Sequence, residues 1–208
     1  MTLTSPNDQN RHAYDQFAPL FAEKNAAMPA ELAAQARRLL QRLTPGPARL
    51  LDLGCGAGRD LAWFEARGCP GIGSDLSRGM LDQARRVTCA PLCQMDMRLL
   101  AFAPASFQAV WCCAALLHLP KIDLPHTLAE IARVLVPGGF FSLSVQKGDS
   151  EGFERSPYGG DVERFFARYQ PDEMAALLEQ AGFTILDRGE NVSGRHWLWF
   201  DTRRHLQV

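Results

Sequence analysis

The sequence predicts an α/β fold: a doubly wound, mostly parallel sheet with helices on both faces, closed by an antiparallel C-terminal hairpin. Three observations predict it. From residue 48 to 146, short apolar runs alternate with amphipathic helical segments, the pattern of parallel strands joined by right-handed crossovers. A glycine-rich turn, Asp52-Leu53-Gly54-Cys55-Gly56-Ala57-Gly58, stands between the first of these runs and the helix after it. Near the end, two extended runs are joined by Asn191-Val192-Ser193-Gly194, a link short enough to require antiparallel pairing.

The elements follow in order. Tyr14, Phe17 and Phe21, then Leu32, Ala36, Leu39, Leu40 and Leu43, recur at helical spacing and give two helices between about Asp8 and Leu43, with Pro29 suited to the second start. Thr44-Pro45-Gly46-Pro47 breaks the pattern before a strand from Ala48 to Leu53. A helix through Leu61, Trp63 and Phe64 follows the glycine turn. Then come a strand Gly71–Asp75, a helix Ser77–Val87 and a strand Pro91–Met95. Phe107 to Ala114 is continuously apolar, as a strand covered on both faces would be. A helix from Leu124 to Leu135 ends at Pro137-Gly138-Gly139, before a strand from Phe140 to Val145. Lys147 to Arg164 reads as a loop, carrying Arg155, Tyr158, Asp161 and Arg164. The closing elements are a helix Pro171–Ala181 and strands Phe183–Asp187 and His196–Thr202. Alternation puts Trp197 and Trp199 on one face of the last strand, where packing under a helix is the expected role.

A chain of 208 residues can bury one substantial core, and 47% apolar with 22% charged residues suits a globular protein. A net charge of −1 offers no general field for nucleic acid or an anionic membrane, so neither is expected as a partner. No apolar run has the length of a membrane span and the first residues lack an export signal, so a cytoplasmic protein is expected. The six cysteines show no paired CxxC spacing; reduced thiols and no metal site are expected.

Glycines at the 52–58 turn let the backbone bend sharply and let a ligand approach the main chain with no Cβ in the way. The third glycine comes one position earlier than a pyrophosphate-binding fingerprint requires, and Arg59 stands where that fingerprint has glycine. A ligand without phosphate therefore fits better. Asp75 ends the second strand, where a carboxylate can accept hydrogen bonds from ribose hydroxyls; capping the next helix is its other reading, though Ser77 can do that. Asp96 and Met97 follow the third strand, an acceptor beside an apolar flank that suits the amino group and face of adenine.

With these features in place, the chain resembles the class I S-adenosylmethionine (SAM)-dependent methyltransferases. The matching stretches are residues 50–60 (LLDLGCGAGRD), 73–77 (GSDLS), 94–100 (QMDMRLL), 107–120 (FQAVWCCAALLHLP), 128–146 (LAEIARVLVPGGFFSLSVQ) and 166–185 (FARYQPDEMAALLEQAGFTI). Residues 14–25 (YDQFAPLFAEKN) are similar to the family's helical lid, with Phe21 where tyrosine is common. The resemblance implies a Rossmann-like sheet of seven strands with an antiparallel final strand. It implies a single domain over 1–208: a helical lid (1–45), a cofactor-binding half (46–146) and an acceptor-side loop, helix and hairpin (147–208). It also implies SAM as cofactor and S-adenosylhomocysteine as product. Gly54, Gly56 and Gly58 would hold the methionyl part, with Asp52 and Cys55 also among the cofactor-binding residues, and Asp75 the ribose, with Leu76 against adenine. Asp96 and Met97 would take the adenine, Ala114 and Leu116 would face the methionyl end, and Tyr14 and Phe21 would close over the cofactor.

A sulfonium methyl is already activated, so such a site mainly aligns acceptor and methyl and excludes water. His118 follows the fourth strand, where ligands collect in open α/β sheets, and is read either as a base or acceptor-orienting donor, or as a histidine fastening its loop. As a base it would give an acid limb in the rate profile. Arg155 and Tyr158 are acceptor-pocket candidates on the 147–164 loop. The residues after the fourth strand, Cys113-Ala114-Ala115-Leu116, lack the Asn/Asp-Pro-Pro-Tyr/Phe tetrad that in the family marks methylation of amino groups on bases or glutamine. A small-molecule acceptor is therefore expected. The rival readings are a SAM-binding regulator without turnover and a nicotinamide-dependent oxidoreductase.

Overall fold

A computed structural model describes residues 5–43, 49–159 and 161–206. The break at Thr44-Pro45-Gly46-Pro47 and the first strand residue, Ala48, lie outside them. Two helices open the chain, α1 (Pro6–Lys24), capped by the Ser5 hydroxyl, and α2 (Ala30–Arg42), directly after Pro29. Then follow β1 (Leu50–Leu53), α3 (Arg59–Glu65), β2 (Gly71–Asp75), α4 (Arg78–Ala84), β3 (Leu92–Gln94), β4 (Phe107–Cys113), α5 (Leu124–Val134) and β5 (Leu135–Gln146). The chain continues through β6 (Glu151–Arg155), β7 (Glu163–Ala167), α6 (Pro171–Gln180), β8 (Phe183–Ser193) and β9 (Arg195–Arg204). Among the described residues no helix is long and apolar enough to cross a membrane.

Seven strands form one sheet in the order β3-β2-β1-β4-β5-β9-β8. β9 alone runs against the others, pairing antiparallel with both β5 and β8. The sequence-based expectation of a mostly parallel sheet with an antiparallel hairpin strand holds. Alternate residues of each central strand feed opposite layers. Leu51, Leu53, Val110, Cys112, Phe141 and Leu143 face α5 and α6, while Leu50, Ala109 and Trp111 face α2 and α3.

Three expectations need correction. The 147–164 segment is not an irregular loop: β6 and β7 pair antiparallel into a separate hairpin, Glu151 opposite Ala167 through Arg155 opposite Glu163. β5 begins at Leu135 rather than Phe140, because a register shift opposite Phe107 and Ala109 lets the Pro137-Gly138-Gly139 segment stay in the ladder. β8 runs to Ser193, so the hairpin turns tightly at Gly194 (φ +68°) and not over four residues.

α2 is fastened to the sheet by one buried acid. Asp201 on β9 accepts hydrogen bonds from Arg38 Nε and Arg42 NH1 at 2.9 Å each, from Gln35 at 3.2 Å and from the Ser142 hydroxyl at 2.9 Å. α1 docks elsewhere. Its Asp15 accepts from the Ser77 hydroxyl and the Gly79 amide at the start of α4, at 2.7 and 2.8 Å. Its Asn10 side chain pairs with both the amide and the carbonyl of Phe165 on β7, at 2.7 and 3.2 Å.

Candidate active site

Strand order reverses between β1 and β4, and there, at the carboxyl ends of the parallel strands, lies a cavity of about 490 Å³. The glycine turn forms its floor. Gly54 is left-handed (φ +75°), and a Cβ on it would lie 2.3 Å from the Ala115 Cβ, so no other residue fits without displacing the loop after β4. Its amide and that of Cys55 donate to the Ser74 carbonyl at 2.8 and 2.9 Å, locking the turn to β2. Gly56 (φ +52°) donates its amide to Asp75 Oδ2 at 2.9 Å, and the Ser77 amide donates to Oδ1 at 2.8 Å. Withdrawal from bulk water pushes the Asp75 carboxyl up to about 6, against these two amides, which favour the charged form. Ser77, not Asp75, caps α4 by accepting from the Met80 amide at 3.1 Å.

Asp52 lies beneath the turn with its Oδ2 buried and without a hydrogen-bond partner. Burial, and after it the nearby Asp60 carboxylate, hold its carboxyl well above the ordinary range. At the far side of the turn, Asp96 is clamped by Arg98, with NH2 to Oδ2 at 2.7 Å. Burial alone would raise its carboxyl, but the Arg98 hydrogen bonds hold it below the usual value. The Cys55 and Cys113 thiols are pushed well above their ordinary value by burial, so neither is a ready nucleophile. Among the described residues no group of His, Cys, Asp and Glu could hold a metal.

Another wall of the cavity, packed against Ala57 of the glycine turn, is aromatic and basic. Phe17 stacks on Tyr158 with centroids 5.0 Å apart, and Phe21 meets Tyr158 at 5.2 Å. The His118 Nδ1 lies 2.9 Å from the Phe165 carbonyl, which can only accept, so Nδ1 carries the proton. Nε2 then accepts from the Tyr14 hydroxyl at 2.7 Å. Arg164 NH1 donates to the same hydroxyl at 3.1 Å. Burial, opposed by the Phe165 carbonyl but reinforced by Arg164 and Arg195, pushes the imidazole down to about 3. An acid limb from His118 near neutrality is therefore not expected: once an acceptor is in hand, rates measured from pH 5 to 9 should show no limb that His118→Gln removes.

The cavity brings together thirteen residues singled out in the sequence: Tyr14, Phe21, Asp52, Gly54, Cys55, Gly56, Asp75, Leu76, Asp96, Met97, Ala114, His118 and Tyr158. Three others do not line it. Gly58 (φ +81°) starts α3, where a Cβ would lie 2.9 Å from the Ala84 Cβ, so it serves helix packing. Leu116 is wholly buried in the core beneath the loop. Arg155 points to solvent, where it lies 3.7 Å from Asp161. Arg164, from the same segment, is inside instead. Trp197 and Trp199, expected to be packing residues, line the cavity, and Trp199 also lies under the Arg38 guanidinium of α2 at 4.2 Å. Alternation along β9 was the signal that pairs these two indoles. Ala114 adds a feature that no pattern announces: a left-handed backbone (φ +54°), a strain of about 1 kcal/mol at the rim of the site.

Comparison with known proteins agrees with this geometry. A model of a methyltransferase domain matches residues 50–139. The chain is 31% identical over 151 residues to the methyltransferase GfsG of Streptomyces halstedii, an alignment covering 67% of this chain and 54% of that one. It is 30% identical over 168 residues to the ubiquinone biosynthesis O-methyltransferase of Xanthomonas axonopodis pv. citri, covering 74% of this chain and 68% of that one. The chain thus spans about half the length of GfsG and two thirds of the Xanthomonas relative. In fold it is similar to the Burkholderia thailandensis 1,6-didemethyltoxoflavin-N1-methyltransferase, solved with 1,6-didemethyltoxoflavin and S-adenosylhomocysteine (TM-score 0.73, 23% identity, 99% of this chain and 92% of that one). A glycine turn and acidic strand ends around one cavity, on a sheet closed by an antiparallel strand, thus coincide with methyltransferase relatives, and the chain belongs to the class I SAM-dependent methyltransferases.

Proposed function

We propose that this chain transfers a methyl group from SAM to a small-molecule acceptor, leaving S-adenosylhomocysteine. The observation that carries the reading is the Asp52 carboxylate, buried beneath the glycine turn with one oxygen unpartnered and its carboxyl held high. A buried carboxylate in that state fits a ligand that brings a cationic, hydrogen-donating group, as the methionyl end of SAM does. Gly54, Cys55 and Gly56 would receive that end, and Ala114 would flank it. Asp75 would accept from the ribose diol through the lone pairs its two amide donors leave, with Leu76 and Met97 against adenine. Asp96, held in place by Arg98, would accept from the adenine amino group. Tyr14 and Phe21 on α1 would close the site.

The cofactor supplies a methyl group already activated on a cationic sulfur, so the protein's part is alignment and exclusion of water. Tyr14 is the group best placed for the acceptor. Its hydroxyl proton is held by His118 Nε2, and one lone pair is used by Arg164. The other can accept from an acceptor N–H or O–H. His118 then acts through Tyr14 as a positioning residue.

Thermal melts with SAM, S-adenosylhomocysteine, NAD and NADP test the cofactor class. The first two should raise the melting point by mass action and the nicotinamides should not, because Arg59 stands where a pyrophosphate turn needs glycine. A larger shift from a nicotinamide would overturn the reading. Transfer of radiolabelled methyl from SAM into a metabolite extract separates turnover from mere binding.

A further inference from the structure

We infer that the methyl acceptor is a planar, conjugated small molecule carrying a carboxylate, and that Arg164 docks that carboxylate. The inference deepens the methyltransferase reading and rests on it. Arg164 is 5% exposed and lines the cavity. Its guanidinium lies among aromatic rings, 4.9 Å from the centre of Phe166, 5.4 Å from Tyr158 and 5.5 Å from Tyr14. Through NH1 it donates to the Tyr14 hydroxyl, while its Nε is buried with no partner among the described residues.

Other arginines that are only partly buried already meet an acid. Arg59 has Asp60 at 2.6 Å, Arg98 has Asp96 at 2.7 Å and Arg133 has Glu130 at 2.7 Å. Among the described residues, Arg164 alone of these four makes no ion pair, so ring faces and one neutral hydroxyl are its whole compensation for lost hydration. With NH1 engaged and Nε enclosed, the positive charge still lacks an anion, which a carboxylate entering the cavity would supply.

The electrostatics of the cavity agree. The glycine-turn end holds Asp52 and Asp75, matched to a cationic cofactor. The same cavity holds Arg164, beside Tyr14 and Tyr158, and Arg195, the latter 3.5 Å from Glu154 and 5.2 Å from the Phe166 ring centre. Tyr158, Phe166 and Trp197 supply flat walls for a conjugated ring. Arg164 comes from β7, outside the main sheet that carries the glycine turn, and its anion is the acceptor's carboxylate, an assignment against the methionyl carboxylate that the S-adenosylhomocysteine affinity of Arg164→Gln tests.

The test uses the whole chain saturated with S-adenosylhomocysteine, titrated calorimetrically with benzoate, 1-naphthoate and indole-3-acetate and with the carboxamide of each. At least one acid should bind about tenfold or more tightly than its amide. Arg164→Gln should erase that preference and Arg164→Lys should keep part of it, with S-adenosylhomocysteine affinity unchanged within about threefold. The acid-to-amide comparison on the unaltered chain decides the matter even if Arg164→Gln does not fold. Equal binding of acids and amides, or of neither, overturns the inference. So does an Arg164→Gln variant that loses S-adenosylhomocysteine as strongly as it loses the acid, since the arginine would then hold the cofactor's own carboxylate. A chain that binds no S-adenosylhomocysteine refutes the methyltransferase reading itself, a failure visible before any acid is added.

Discussion

Replacing Asp75 with alanine is expected to weaken SAM binding by roughly 10- to 150-fold, about 1.5–3 kcal/mol, with the chain still folded. The carboxylate accepts from the Gly56 and Ser77 amides and would also accept from the ribose diol, so truncation strands a diol in a cavity with no other acid at that position. α4 keeps its start, because Ser77 caps it. The same residue sets a pH dependence. Burial raises this acid to about 6, so its charged form is disfavoured in the unliganded fold, and whatever stability this gives is lost as pH rises through 6. A diol that donates hydrogen bonds favours the charged form. Cofactor binding must therefore release a proton below pH 6, and affinity should fall as pH is lowered from 7.5 to 5. Calorimetry across that range, with Asp75→Asn as the flat control, checks both the size and the sign. An Asp75→Ala chain with wild-type affinity would reduce Asp75 to a brace for the glycine turn.

The second large effect is on stability. Asp201→Ala should cost about 3 kcal/mol, measured by urea unfolding, because one wholly buried carboxylate takes hydrogen bonds from Arg38, Arg42, Gln35 and Ser142 together. Its loss strands the Ser142 hydroxyl in the interior, leaves Gln35 with only the Leu143 and Phe200 carbonyls, and loosens α2 from β9. The two arginines, partly exposed, can turn to water, which keeps the cost below that of a fully enclosed ion pair. Asp187, 3.6 Å from the same Arg38, is the control: it is exposed, and Asp187→Ala should change stability by less than about 0.5 kcal/mol. Equal small losses from both would mean that α2 is held by its apolar face alone.

How far the sequence carries depends on the range of the interaction that decides each feature. Strands β1 to β5 and the helices between them were legible because each is written locally: a short apolar run for a strand covered on both faces, a 3.6-residue period for its crossover. β2 matches its expected bounds, Gly71 to Asp75, at both ends. The glycine turn and the acids after β2 and β3 were legible for a related reason. In a parallel sheet with right-handed crossovers, all strand ends fall on one edge, so order along the chain becomes position around a site.

The β6–β7 hairpin was not legible. Glu151 to Arg155 carries charges at 151, 154 and 155 around Gly152 and Phe153 and has no apolar run, and it becomes a strand only because β7 lies beside it. The same holds within the site. Arg155 and Arg164 lie on one segment with the same chemistry, and nothing local distinguishes them. The hairpin turns one to water, while the α1 docking that joins Asn10 to Phe165 carries the other beneath Tyr14. Period two paired Trp197 with Trp199, but whether that face meets a helix or a cavity depends on what packs across from β9. By itself the sequence determined which elements form and in what order their ends meet, since hydrophobic periodicity and glycine torsions act over a few residues. Only the tertiary structure decided that Gly58 and Leu116 turn away from the cavity, that His118 is held neutral by burial, and that Arg164 lies inside without an acid. Those outcomes come from groups more than twenty residues apart, whose desolvation and pairing exist only once the layers have closed.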